Sequence, residues 1–230
     1  MNELSTNENS LEESKSVSKN IFNELFNPTL DLTIDYSEIY IDDFINNEAL
    51  KEIPFVKSVV GVLKTGITIN QFWFAKKLFT FIQEFNKGDI KSEEYNSFRI
   101  KLQTDTGFEK KVAEKLMVFI DKHVEITQTK ITSNLFRAFV NQQITYQELS
   151  DILISLDKLH PKSYNGFFEL EKINFVIDDK NNDLVERDYQ LETLINNTGL
   201  GVETPQYFHG FELTNEGSKF FEFGLKPLIK

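Results

Sequence analysis

Three patterns in this chain carry the residue types of known chemistry, and each can be set against what that chemistry requires. Gly61-Val-Leu-Lys-Thr-Gly66 has the glycines and lysine of a phosphate loop. Such a loop needs Lys and Ser/Thr directly after its second glycine, so that the ammonium reaches the phosphates and the hydroxyl reaches Mg²⁺. Ile67-Thr68 follow instead, so the glycines are read as helix-packing residues. Asp179, Asn181 and Asp183 offer oxygens at positions one, three and five of an EF-hand-like loop. Leu184 stands where the sharp turn needs glycine, and Gln190 where a bidentate glutamate belongs, which leaves an ordinary surface loop. His123, His160 and His209 are scattered and lack zinc-ligand spacing. There is no Cys, so thiolate ligands, disulfides and Cys nucleophiles are excluded. No catalytic, cofactor-binding or metal-binding set is expected.

The strongest signal is a segment rather than a motif. Ile53 to Gln83 contains Lys57, Lys64, Lys76 and Lys77, no acid, and the densest apolar run, in a chain of formal net charge -11. Residues 1–52 carry 12 acids against 3 bases. A membrane span needs about 18 or more apolar residues. The longest charge-free run here, Thr65 to Ala75, has eleven, so a single spanning helix is not expected. In one reading Phe72, Trp73, Phe79 and Phe81 form a helical core, while the lysines snorkel or pair with acids of 1–52. In the other, Lys57, Lys64, Trp73, Lys76 and Lys77 form a surface for a protein partner or an anionic membrane. Interior packing is preferred.

These residues need helices to position them, and the sequence supplies helical signals in series. The 22 Phe against one Trp and two Met predict an aromatic core. Ile21, Phe22, Leu25 and Phe26 make a short stripe ending at Asn27-Pro28. A helix is predicted over 37–47, opened by Ser37, with 29–36 open. Pro54 suits the first turn of a helix over 54–64, and another runs from Thr68 to Asn86, stopped at Lys87-Gly88. Ser92 opens a helix with Tyr95, Phe98 and Leu102 on one face. Thr106 with Glu109 reads as a capping box, Thr127 as the next cap, and Thr145 with Glu148 as a capping box with the Ile144/Leu149 staple. Ile173–Ile177 is either a short strand or a helix end, and a helix is expected over 184–197.

Near the C-terminus, Leu191-x-x-Leu194 leads through Gly199-Leu200 to Phe211-x-Leu213-Thr214-x-x-Gly217-x-x-Phe220. This string resembles the second half of a winged-helix module. The resemblance implies a helix ending in a Gly-Leu turn, a β-hairpin wing, and an L-T-x-x-G step into a terminal helix. That family binds DNA when the helix before the turn is basic. Residues 183–197 hold Asp183, Glu186, Asp188 and Glu192 against Arg187 alone, which implies protein contacts rather than nucleic acid. The N-terminal two-thirds is similar to uncharacterised bacterial helical proteins, some placed in phage-defence loci.

The expected fold is mainly α: an acidic tail over 1–20, a helical bundle over 21–160, and a small α+β winged-helix-like module with one hairpin over 161–230. The expected function is non-enzymatic, through protein–protein contacts or homo-oligomers, in a bacterial setting of phage defence or stress response. The alternatives are a peripheral membrane effector using 53–83 and a winged-helix transcriptional regulator. No cofactor is expected. The polar, acidic N-terminus argues against a secretory signal and for a cytoplasmic location, with peripheral membrane attachment as the alternative.

Overall fold

A computed structural model describes residues 19–53, 56, 68–176, 189–204 and 210–229. The fold is mainly α, with one two-stranded antiparallel hairpin among the described residues. Two compact units divide it, Met1–Asn141 and Gln142–Lys230. The division therefore falls ahead of the helix opened by Thr145, not at Pro161, and that helix packs within the second unit.

In the first unit, residues 19–26 are helical (α1). They are followed by α2 (Ile41–Asn46), α3 (Glu48–Glu52), α4 (Ile69–Lys87), α5 (Ser92–Thr104), α6 (Thr106–Lys122) and α7 (Ile126–Val140). Residues 29–40 form turns: the Asp35 carboxylate accepts from the Ser37 N–H at 2.9 Å and its hydroxyl at 2.5 Å, so Ser37 closes a turn and α2 starts later, at Ile41. The Pro54 helix and the Gly61–Gly66 loop lie outside the described residues.

Helix α4 is the centre of this unit. Thr68 caps it in a reciprocal box with Gln71, and Gly88 ends it. Phe72, Ala75, Leu78, Phe79, Phe81, Ile82 and Phe85 are buried, so most of the aromatic-rich stretch is interior, but Trp73, expected in the core with Phe72, Phe79 and Phe81, falls on the exposed face of the helix. Phe136 of α7 packs 5.9 Å from Phe81 and 5.7 Å from Phe85, ring centre to ring centre. Two caps differ from expectation. Asp105, not Thr106, caps α6 by accepting from the Phe108 N–H. Glu125, not Thr127, opens α7, because the Gln128 side chain reaches back to the Val124 and Glu125 N–H groups. At α6 a carboxylate one residue upstream accepts the orphan donor more strongly than a hydroxyl, whereas at α7 the acceptor is the Gln128 side-chain amide.

The second unit contains α8 (Tyr146–Lys158), α9 (Tyr164–Val176), α10 (Tyr189–Asn196), β1 (Gly201–Thr204), β2 (Gly210–Leu213) and α11 (Asn215–Lys219). Beyond these, Phe220–Leu225 continue as a π-helix. Thr145 and Glu148 form the expected capping box, and Ile144 and Leu149 are both buried. The Ile173–Val176 stretch ends α9 as helix, which settles the choice against a strand. Gly166 sits 3.3 Å, at its would-be Cβ, from Leu191 and Ile195, so a missing side chain lets α9 and α10 approach. Gly201 pairs with Leu213 and Thr204 with Gly210 across the hairpin.

Candidate functional site

The structure sorts the five residues singled out in the basic segment into three groups. Lys57 and Lys64 lie outside the described residues. Lys76 and Lys77 are 8% and 6% exposed, so they do not belong to a surface. Trp73 is open, at 44%.

Why two lysines can sit inside follows from where their ammonium groups go. Lys76 Nζ donates to the Ile39 carbonyl at 3.0 Å and lies 5.0 Å from the centre of the Trp73 ring. Lys77 Nζ donates to the Asp121 carbonyl at 2.5 Å and the His123 carbonyl at 3.1 Å. It thereby closes the C-terminal end of α6, where the helix dipole favours a cation. The expected partners were carboxylates of 1–52; the partners found are backbone carbonyls. Burial lowers the pKa of both amines, opposed by the charges of Asp35 and Glu38 at Lys76 and of Asp121 at Lys77.

Other polar side chains of α4 do the same. Gln83 Nε2 donates to the Leu32 and Ile34 carbonyls, and Asn86 Nδ2 to that of Leu25. In the opposite direction, Arg137 of α7 donates to the Glu84 carbonyl at 2.9 Å. The polar residues of this helix tie the end of α1, the turns of 29–40 and the end of α6 to the core, since buried backbone groups demand partners.

His123 completes this network. Its Nδ1 lies 3.1 Å from the Thr129 hydroxyl and its Nε2 3.3 Å from that of Thr132. Burial first, and the Lys77 charge second, push its pKa down to about 3. A neutral imidazole needs one donor and one acceptor, and two hydroxyls supply both. The arrangement is that of a satisfied core histidine. Elsewhere, His160 Nδ1 accepts from the Lys162 N–H, while His209 and the Asp179–Asp183 loop lie outside the described residues. Among the described residues no group of three or more His, Asp or Glu could hold a metal, and no helix is long and apolar enough to cross a membrane.

What remains open to partners is a strip at the N-terminal end of α4. Tyr40 is 74% exposed and Ile69 67%. Ile69 lies one helical turn before Trp73, on the same face. Lys76 joins Trp73 to residue 39, beside Tyr40, through the two contacts given above. Single exposed aliphatics such as Ile100, Val118 and Val124 need no explanation, but Ile69 and Trp73 on one helix face, with Tyr40 next in the chain to the residue that Lys76 bonds, do. The strip is bordered by acids: the stretch Asp35–Asp43 holds Asp35, Glu38, Asp42 and Asp43 and no base. The sequence singled out Trp73 but did not mark Tyr40 or Ile69; the usable signal was the four-residue spacing from Ile69 to Trp73.

In the second unit, the residues of the winged-helix-like string meet. The Thr214 N–H donates to the Leu200 carbonyl at 3.0 Å and its hydroxyl to the Gly199 carbonyl at 2.9 Å, while that hydroxyl accepts from the Gly217 N–H at 3.0 Å. A Cβ at Gly217 would stand 1.8 Å from the Leu200 oxygen, so only glycine fits. Gly199 adopts φ +79, which favours glycine. The outward face of α10 shows Gln190, Thr193 and Asn196; Glu192 is turned in, and Glu203 and Glu212 are exposed on the hairpin.

No family model, curated protein or solved structure matches the chain.

Proposed function

We propose that this chain is a non-enzymatic docking protein that engages a protein partner through Tyr40, Ile69 and Trp73. The observation that carries the reading is the division of labour on α4. Its buried cations are committed to backbone carbonyls, and the open face beside them is apolar and aromatic. Exposed Trp and Tyr with an aliphatic neighbour have the composition of interface hot spots. The acids at 35–43 select against an anionic lipid surface and for an apolar patch rimmed by Lys or Arg. Residues 142–230 are read, in the same proposal, as a winged-helix-like module serving protein contacts. Helices α8, α9 and α10, the hairpin and the Leu200–Thr214–Gly217 lock support that reading. Acids on the hairpin, with an uncharged α10 face, oppose phosphate binding, which depends on Lys and Arg.

A photo-crosslinking amino acid at position 40, 69 or 73, in cells that express the protein, tests the proposal. All three positions are expected to trap the same partner, and position 124, also exposed, is not. Reversing Asp42 and Asp43 to Lys is expected to abolish the crosslink from position 73. Equal trapping from position 124, or flotation of the protein on anionic vesicles undiminished by Trp73→Ser, overturns it.

A further inference from the structure

Helices α1, α5 and α6 line a half-open cavity of about 640 Å³, within the range of small-molecule sites. Its apolar wall is formed by Phe22, Phe26 and Leu102. These groups are held in place. Phe26 makes edge contacts with Tyr95 at 5.1 Å and Phe98 at 6.1 Å, and the Tyr95 hydroxyl donates to the Phe26 carbonyl at 2.9 Å. The polar part of the lining mixes neutral groups, Asn23, Asn27, Gln103 and Thr106, with a net positive set of charges. Each of the three helices contributes one cation, Lys19, Arg99 and Lys110, against a single acid, Glu109. Lys110 is also shared with Glu114, 3.6 Å away, so Lys19 and Arg99 carry most of the positive character. The Arg99 guanidinium lies 5.6 Å from the centre of the Tyr95 ring, which orients it beside the apolar wall.

A fixed apolar wall with a cationic rim matches one ligand chemistry, an apolar tail ending in a single negative charge. We propose that this cavity binds a small amphiphilic anion of the medium-chain fatty-acid class. The tail lies on Phe22, Phe26 and Leu102, and the carboxylate between Arg99 and Lys19. An arginine fork suits a carboxylate in two parallel hydrogen bonds. None of Tyr40, Ile69 and Trp73 lines this cavity, so the site stands apart from the docking strip.

Calorimetric titration of the full chain with decanoate, below its micelle concentration, tests the inference. Saturable one-to-one binding is expected. Octanoate, two methylenes shorter, is expected to bind on the order of tenfold more weakly. Decyltrimethylammonium, with the same tail and opposite charge, is expected not to compete. Arg99→Met should weaken decanoate at least fivefold, whereas Lys115→Met, which removes a cation of α6 outside the cavity, should leave it unchanged. Gly107 lines the cavity, and a Cβ there meets only Asp105 Oδ1, at 3.4 Å. Gly107→Leu should therefore keep or raise the melting temperature while abolishing binding, which separates an occupied site from a damaged fold. Absence of saturable binding, equal binding of the cationic amphiphile, or unchanged binding by Gly107→Leu overturns the proposal.

Discussion

Acidifying the protein from pH 7.5 to pH 5 should destabilise the first unit through His123 before most carboxylates begin to titrate. Its pKa falls from the ordinary 6.5 to about 3 in the fold, because the ring is buried and faces the Lys77 charge. The direction follows from which state binds the proton. Between pH 6.5 and 3 the unfolded chain carries a protonated histidine and the folded chain does not, so stability is full above 6.5 and falls as pH drops through that window. Each pH unit below 6.5 removes up to about 1.4 kcal/mol, which gives about 2 kcal/mol by pH 5. Urea unfolding followed by tryptophan emission is the assay, since Trp73 is the single tryptophan and lies in the same unit as His123. His123→Gln is the comparison: its amide keeps one donor and one acceptor for Thr129 and Thr132 but does not titrate. Wild type should lose about 2 kcal/mol more than this variant over the interval. Parallel losses in the two proteins would refute the placement of a neutral histidine in the core.

The other predictions concern single contacts. Lys77→Met should cost about 2–4 kcal/mol, because the buried His123 and Asp121 carbonyls lose a charged donor. The same change should raise the His123 pKa, measured by NMR titration, because the lowering charge is gone. Gly217→Ala should destabilise the second unit by about 3 kcal/mol, the upper end of overpacking costs, and abolish amide protection at Thr214, whose N–H bonds the Leu200 oxygen. Lys219→Met should raise the Glu148 pKa from about 2, since the Lys219 hydrogen bond is the largest cause of its lowering, followed by the Thr145 N–H. The pair is partly open to solvent, so urea midpoints should report a loss of no more than about 1 kcal/mol.

Much of the helical frame was legible because its signals are local. Thr145 and Glu148 lie three residues apart and bond as that spacing predicts, and Thr68 stands at the start of α4 where the helix was expected to begin. The caps of α6 and α7 were misplaced because two acceptors compete within two residues, and periodicity does not say which one reaches the orphan N–H groups. The unit boundary was hidden for a similar reason. α7 ends at Val140, and Gln142 takes a left-handed φ of 57, a position where glycine would have announced the stop. The destinations of the lysines were not legible at all. Their carbonyl acceptors stand 37 to 46 residues away, and nothing in the sequence marks a carbonyl as one that needs a donor. The cavity shares that property, since Lys19, Arg99 and Lys110 meet only when α1 packs on α5 and α6.

The docking proposal depends on the basic stretch turning its described lysines inward, and native-state lysine labelling with an acetylating reagent, read residue by residue by mass spectrometry, tests that most directly. Lys76 and Lys77 should stay unmodified while exposed Lys87 and Lys101 react, and both should become reactive only when the chain is unfolded. Labelling of Lys76 and Lys77 at the rate of Lys101 in the folded protein would contradict the account.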